Sequence, residues 1–423
     1  MDLQQYRRVL FLLWAFSCQL GSGLVWGQVS NLEQKVEGGG NKEVAGGRLR
    51  VLGRDDFQRA YCGVWVPPEV ANPHTFWGSF GTHEQSEDGE YVYLKCHPKD
   101  YRAYGVLRVP EPVVTRDVRE VPRAELVEWR EFGVPEKVVD KSGIHQYGFL
   151  ETEKGIFLTF KSYYAVSGED FPSQAFVDRD GKMFGCNTLG GKGVAGIADL
   201  YHHNKVAGYI CRPPSWMKVD YLVGMCGTPG SRKTSAGPSL YGVTFDRGIS
   251  AGESQQATPI LSYDPGRHAM PGWDNVTSVR GAAWIEREGA GAVIFSARRS
   301  VGHVWYGHPE HEDTKTGVVY RDTLNANKGY HAEGYRQGFW VMDPAELRNV
   351  YEGKIPPWSV KPREWIDLTE LGVMVEGSNP VGWVTASYRD GRLILGVEGG
   401  YAGNSGSKRL PLMIEFRFRD PVQ

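Results

Sequence analysis

Histidine, tyrosine and arginine gather at the ends of apolar runs in this chain, where loops would present them. Ten of the eleven histidines are expected on or near one face, the exception being His83. The residues with most chemistry to offer are His145, Tyr163, His202, His203 and Arg298, taken as the catalytic candidates. His97, Lys161, Tyr164, Arg299, His303, His331, Tyr335, Glu398 and Tyr401 are the candidate ligand contacts. Tyr and Trp stack on sugar rings, and Arg holds a carboxylate through paired hydrogen bonds. A His and a Tyr beside an Arg-held uronate have the makings of the base and acid of a β-elimination. Hydrolysis of a glycoside would ask instead for two carboxylates, and only Asp274, Glu398 and Glu333 qualify by position. Metal chemistry has a thinner basis. His308 and His311 lie among Glu310, Glu312 and Asp313, but their spacing matches no metal motif, and a solvated charged loop accounts for them. No cofactor is predicted, and a divalent cation in a central channel stays open.

These residues need a scaffold that brings distant loops to one place. Strand-like runs recur in groups of four. The first group is Phe76–Thr82, Tyr91–Cys96, Tyr104–Val109 and Leu126–Phe132; the second is His145–Leu150, Ile156–Tyr163, Gln174–Val177 and Lys182–Cys186. The third is Val206–Cys211, Tyr221–Cys226, Ser239–Phe245 and Thr258–Ser262; the fourth is Val279–Ile285, Ala292–Ala297, Gly338–Met342 and Glu364–Leu368. A fifth has only Val381–Tyr388, Arg392–Val397 and Leu412–Phe418, and Arg48–Leu52 can supply its missing strand. Pairing the two chain ends in one sheet would leave no open edge. The expected fold is therefore an all-β, five-bladed β-propeller whose last blade is closed by the N-terminal strand, with six or seven blades as alternatives. Small residues at the starts of the first strands, such as Gly148, Gly208 and Gly281, suit a crowded ring centre. Asp343-Pro344-Ala345-Glu346 announces a short helix, with an acidic cap, Pro in the first turn and Gly353 as the stop. Val121–Glu125 reads as a shorter analogue.

Composition limits the function classes. With 41% apolar residues among 423, the chain has enough to bury a core. A formal charge of −2 gives no basic field for nucleic acid. Arg7 and Arg8 followed by the apolar run Val9–Phe16 read as a secretory signal over residues 1–27, with a flexible leader over 28–47 and one domain over 48–423. The protein is expected to be secreted or periplasmic, with no membrane segment once the signal is removed. Five cysteines then remain, and a Cys211–Cys226 bridge competes with buried thiols. Residues 227–234 lack the Gly before Lys that a phosphate loop needs, and Gly403–Gly406 is a turn rather than a nucleophile elbow.

Four segments carry a likeness: Leu107–Val113, Lys205–Trp216 (KVAGYICRPPSW), Gly237–Tyr241 and Lys328–Pro362. With these, the chain over roughly residues 76–418 resembles an uncharacterised family of secreted bacterial proteins. The resemblance implies a β-propeller and assigns no activity. Fold and residue types together favour an exported propeller that binds or acts on carbohydrate, with acidic polysaccharide as the candidate ligand. The alternatives are a non-catalytic scaffold that binds protein or a surface, and a metal-dependent, lactonase-like hydrolase.

Overall fold

A computed structural model describes residues 49–418 apart from 71–72, 78, 80–81, 98–102, 132–143, 163–171, 191–200, 202, 226–233, 250–252, 265 and 402–408. The expected signal and leader lie outside the described residues. Among the described residues the fold is all-β with three short α-helices. It opens with β1 (Arg50–Val51), α1 (Arg54–Ala60) and β2 (Tyr61–Trp65). The first sheet is β3 (His83–Gln85), β4 (Tyr91–Lys95), β5 (Ala103–Arg108) and β6 (Glu125–Glu131). The second is β7 (Ile144–Thr152), β8 (Gly155–Ser162), β9 (Gln174–Asp178) and β10 (Met183–Gly190). After α2 (His203–Val206) comes the third, β11 (Tyr209–Cys211), β12 (Tyr221–Gly224), β13 (Leu240–Thr244) and β14 (Ser254–Leu261). Its outer strand pairs parallel with β10, joining the second and third sheets edge to edge.

The fourth sheet holds β15 (Ser278–Arg287) and β16 (Ala290–Gly307). A small hairpin, β17 (Glu310–Glu312) with β18 (Val319–Arg321), precedes β19 (Gly329–Met342). Then come α3 (Pro344–Tyr351) and β20 (Glu364–Asp367). β16 and β19 run past their neighbours as a long two-stranded arm. The fifth sheet is β21 (Val384–Arg389), β22 (Arg392–Tyr401), β23 (Leu410–Arg417) and, from the other end of the chain, β2.

The first strands of the five sheets meet in a closed ring: β3 touches β7, β7 touches β11, β11 touches β15, β15 touches β21, and β21 returns to β3. Such strands are covered on both sides, and in β15 both faces are largely apolar, whereas β3 buries polar side chains. In β15, Ala283 and Ile285 pack toward the fifth sheet, while Ala282 and Trp284 pack toward the third. The core is thus divided into clusters at the junctions between neighbouring sheets. Crowding at the ring is measurable at Gly281, where a Cβ would lie 2.3 Å from the backbone nitrogen of Ala386.

Three sequence expectations are corrected here. The fifth sheet is closed by Tyr61–Trp65, not by Arg48–Leu52; Arg50 and Val51 pair parallel with Ala290 and Gly291 instead. The cause is apolar burial: Val64 and Trp65 are fully covered against β23, whereas Arg50 is exposed and tied to Asp56 by bonds of 2.7 and 2.9 Å. The first strand of the first sheet is His83–Gln85 rather than Phe76–Thr82, because polar side chains face the ring there. His83 Nε2 lies 3.1 Å from the Ile394 carbonyl, and Gln85 Nε2 donates to the Ser387 carbonyl at 3.2 Å. Val121–Glu125 is no helix; a single 3-10 turn, Val118–Glu120, precedes it, and an isolated bridge ties Arg123 to Val66. The helix at Asp343 forms as its sequence signals, with the Asp343 carboxylate accepting from Ala345 N at 2.9 Å.

Candidate functional site

The fourth and fifth sheets bring charged residues together at the ring end where the chain enters each first strand. β15 and β16 pair Ser278 with Arg298 and Val279 with Ala297, and the register then slips so that Gly281 faces Ser296. Arg280 is the extra residue in this bulge. A bulge re-aims a side chain without ending the strand. The Arg280 guanidinium accordingly lies 4.0 Å from the ring centroid of Trp383, on the segment entering β21. Arg298 reaches the same junction from the second strand. Its Nη1 donates to the Val381 carbonyl at 2.7 Å, and its guanidinium sits 4.9 Å from the Tyr335 ring. Its Nε is buried without a hydrogen-bond acceptor.

Glu398, at the end of the second strand of the fifth sheet, completes the cluster. One of its oxygens accepts from Trp383 N at 3.2 Å. Burial raises the Glu398 pKa above the usual carboxylate range, against the pull of the Trp383 hydrogen bond, Arg298 and Arg280. Burial lowers the pKa of Arg298, and Arg280 adds to that effect, while Tyr335, Glu398 and Asp322 oppose it. Burial thus works against the charged form of both Arg298 and Glu398.

Behind Arg298 stands a fixed network on the arm. Asp322 Oδ2 accepts from Tyr335 Oη at 2.5 Å and lies 2.9 Å from His331 Nδ1, while Oδ1 accepts from Leu324 N and Asn325 N. Burial works to raise the Asp322 pKa, but these hydrogen bonds outweigh it and the carboxyl sits below its ordinary value. Burial and the hydrogen bond to Asp322 raise the Tyr335 pKa, so Tyr335 is a firmly held neutral phenol and a poor proton donor. Asp274 braces its own loop, accepting from Val276 N, Thr277 N and the hydroxyls of Thr277 and Ser300. Gln337 does the same for the neighbouring loop through the carbonyls of Asn379 and Gly382.

Of the residues singled out by sequence, the structure therefore gathers Arg298, Tyr335 and Glu398, with His331 joined through Asp322. The others have separate surroundings. His97 stacks with Trp77 at 5.8 Å, Lys161 is buried at the end of β8, and Arg299 lies 5.9 Å from the Trp365 ring. His303 stacks with Tyr320 at 3.9 Å on the arm, and Tyr401 Oη accepts from Arg123 at 3.1 Å. Tyr163, Tyr164 and His202 lie outside the described residues, as do the side chains of His145 and His203. His145 pairs through its backbone with Lys161, and His203 opens α2. The described histidines do not converge on one opening: His74 is beside Glu131, His83 is in β3, His268 stacks with Trp358, and His303 and His311 stay on the arm.

Sequence reasoning missed Arg280, Trp383 and Asp322. A bulge leaves no mark in apolar periodicity, although an Arg directly before Gly281-Ala282-Ala283 hints at an interrupted strand. Cys211 is a buried thiol in no disulfide, which corrects the bridge to Cys226; burial and Glu84 push its pKa upward. Among the described residues no group of His, Cys, Asp and Glu is arranged to hold a metal ion. No described helix is long and apolar enough to cross a membrane.

No protein-family model matches the chain, and no curated protein matches it. Solved structures with a similar course of chain include a β-fructofuranosidase from Schwanniomyces occidentalis, complexed with fructosyl-erythritol. There the TM-score is 0.38 and the identity 7%, covering 84% of this chain and 58% of the other. A luciferin-regenerating enzyme gives a TM-score of 0.33 at 9% identity, covering 84% and 77%. The chain spans well under two thirds of the β-fructofuranosidase it matches.

Proposed function

We propose that the protein is an exported five-bladed β-propeller that binds an acidic glycan where its fourth and fifth sheets meet. The blade count rests on the closed ring of five first strands. The ligand class rests on one observation: Arg298, with a buried Nε lacking an acceptor, stands near Arg280 and beside a Glu398 that burial disfavours as an anion. A ligand carboxylate or sulfate would supply the missing acceptor in a planar, bidentate fashion. Trp383 and Tyr335 supply the flanking aromatic surface. The arrangement favours binding over catalysis, because Tyr335 and Asp322 are committed to each other and to His331.

The test is a binding panel of acidic and neutral polysaccharides read by calorimetry. Acidic chains should bind, neutral ones should not, and Arg298→Met should weaken binding by about 10- to 100-fold, the worth of one charge-assisted hydrogen bond. Equal binding of neutral and acidic chains, or an Arg298→Met protein with unchanged affinity, would refute the reading. The scaffold alternative draws on the arm, which exposes Val301, Tyr306, Val318 and Val319; binding of a protein partner with no response to any glycan would favour it.

A further inference from the structure

We propose that the opposite end of the ring carries a second, separate binding site for a small ligand headed by an oxyanion. At that end each first strand turns back into its second, and a cavity of about 700 Å³ opens beside the hairpins of the first, second and fifth sheets. That volume is within the range of small-molecule sites, about 300–1,000 Å³. Four arginines from four sheets line it, Arg130 on β6, Arg179 in the β9–β10 hairpin, Arg212 just after β11 and Arg389 at the end of β21, and they share it with Lys154 and the acids Glu87, Asp88, Glu128, Glu151 and Glu153.

Their commitments differ. Arg130 is taken up by Glu128 at 2.7 Å. Arg212 is anchored at the back, where Nη2 donates to Glu84 Oε1 at 2.7 Å and to the Glu151 carbonyl at 2.6 Å. Glu84 is buried, and burial raises its pKa even against Arg212. The Arg212 Nε is buried with no hydrogen-bond acceptor. Arg389 has Asp390 at 3.5 Å and Glu87 at 3.8 Å, a 3.3 Å bond to the Gln85 carbonyl, and the charges of Glu84 and Asp88 nearby. Arg179 makes one hydrogen bond, from Nε to the Glu153 carbonyl at 2.5 Å, and no ion pair with any described residue. Arg179 and Arg389 thus keep donor capacity beside one cavity, with Arg212 anchored between Glu84 and Glu151, which suits a planar or tetrahedral oxyanion gripped from more than one side among the cavity's own carboxylates. Carboxylate, phosphate and sulfate share that chemistry. The site is independent of the glycan reading, since none of its residues belongs to the Arg298 cluster.

The experiment titrates the protein with glucuronate, inorganic phosphate and inorganic sulfate, following saturation by calorimetry and by amide chemical shifts. Saturable binding of at least one probe is expected, and the rank of the three tells which oxyanion the site prefers. Arg179→Met should weaken that binding by about 10-fold, and Arg212→Met should abolish it. Because the Arg298 cluster would itself take glucuronate or sulfate, all titrations are run in the Arg298→Met protein, so that only the second site is read. Arg212→Met also strips buried Glu84 of its partner, so a loss there could reflect misfolding; Arg179→Met removes a single surface hydrogen bond and keeps the test decisive. Failure of all three probes to saturate in that background, or saturation undiminished by Arg179→Met, would overturn the proposal.

Discussion

Phe57 offers a direct test of how the ring is closed. It lies on α1, immediately before the closing strand, and is fully buried. Its ring meets Phe339 of the fourth sheet at 4.7 Å, and Phe418 and Phe416 of the fifth at 5.3 and 6.0 Å. Truncation to Ala removes a phenyl ring from a junction of three elements. Such changes cost about 3–5 kcal/mol, and more when the surroundings cannot collapse. Here the cavity walls are two hydrogen-bonded sheets, so we expect about 4 kcal/mol. For a chain of this size the urea dependence is about 3 kcal/mol per molar, which makes the midpoint fall by about 1.3 M. Phe57→Leu keeps most of the volume and should cost about 1.5 kcal/mol. Val319→Ala, on the exposed arm, should stay within about 0.5 kcal/mol. Midpoints followed by tryptophan fluorescence measure all three. A Phe57→Ala midpoint indistinguishable from that of Val319→Ala would mean that α1 and the strand after it do not hold the ring shut.

Glu398→Gln should remove a pH dependence. The folded pKa of Glu398 is raised, so its stabilising contribution is complete below the unfolded value of about 4.3 and is lost as pH rises through the folded value. Anion affinity at Arg298 should fall over the same window. In the Gln variant both the melting temperature and the affinity should lose that slope; a slope that survives would assign it to another group. Asp343→Ala removes the α3 cap and the 2.9 Å pair with Arg363, and should cost about 2 kcal/mol by urea unfolding, with Asp343→Asn milder. An Asp343→Ala protein as stable as the parent would show that α3 does not depend on its cap. Asp56 is held down at about 2, first by its hydrogen bonds from Arg50, with those from Gly53 N and Arg59 adding. The stability it lends is present above about pH 4 and is lost as pH falls toward 2, so Asp56→Asn should flatten the acid limb of a melting-temperature profile; an unchanged limb would refute this role.

The grouping of strands in fours was legible because each run is apolar along most of its length and is bounded by Gly, Pro or Asp. The α3 helix was legible for a local reason, since Asp343-Pro344 and Glu346 need only their own turn. The closing strand was not. Tyr61–Trp65 is only five residues long and follows directly on α1, which masks its start, whereas Arg48–Leu52 sits where a propeller's first strand is looked for. What separates the two is burial of Val64 and Trp65 against β23, which only the assembled sheet supplies. Gly63 marks the place, since its φ of +133° and its approach to Val113 exclude a side chain. The site divides in the same way. Arg298 and Glu398 could be placed from strand ends and Tyr335 from the long stretch between the second and third strands of the fourth group, but the meeting of histidines could not be read, because it depends on loop paths that residue type does not determine.

Packing and charge at the Arg298 cluster are one problem. The close approach of β15 to β21 has no room for a side chain at Gly281, where a Cβ would meet Ala386 N at 2.3 Å and Ser296 Oγ at 2.4 Å. The residue before it is the bulged Arg280, and the partner strand is entered through Trp383. A bulge directly beside a glycine contact lets the strands touch while turning a long cation out of the crowded ring and onto an indole face. Gly281→Ala should therefore do two things at once. It should destabilise by about 1–3 kcal/mol through overpacking, and it should displace Arg280 from Trp383 and so weaken anion binding without touching a ligand contact. Urea unfolding and calorimetry on the same variant separate these effects. A protein destabilised but with undiminished affinity would mean that Arg280 does not depend on this contact for its position.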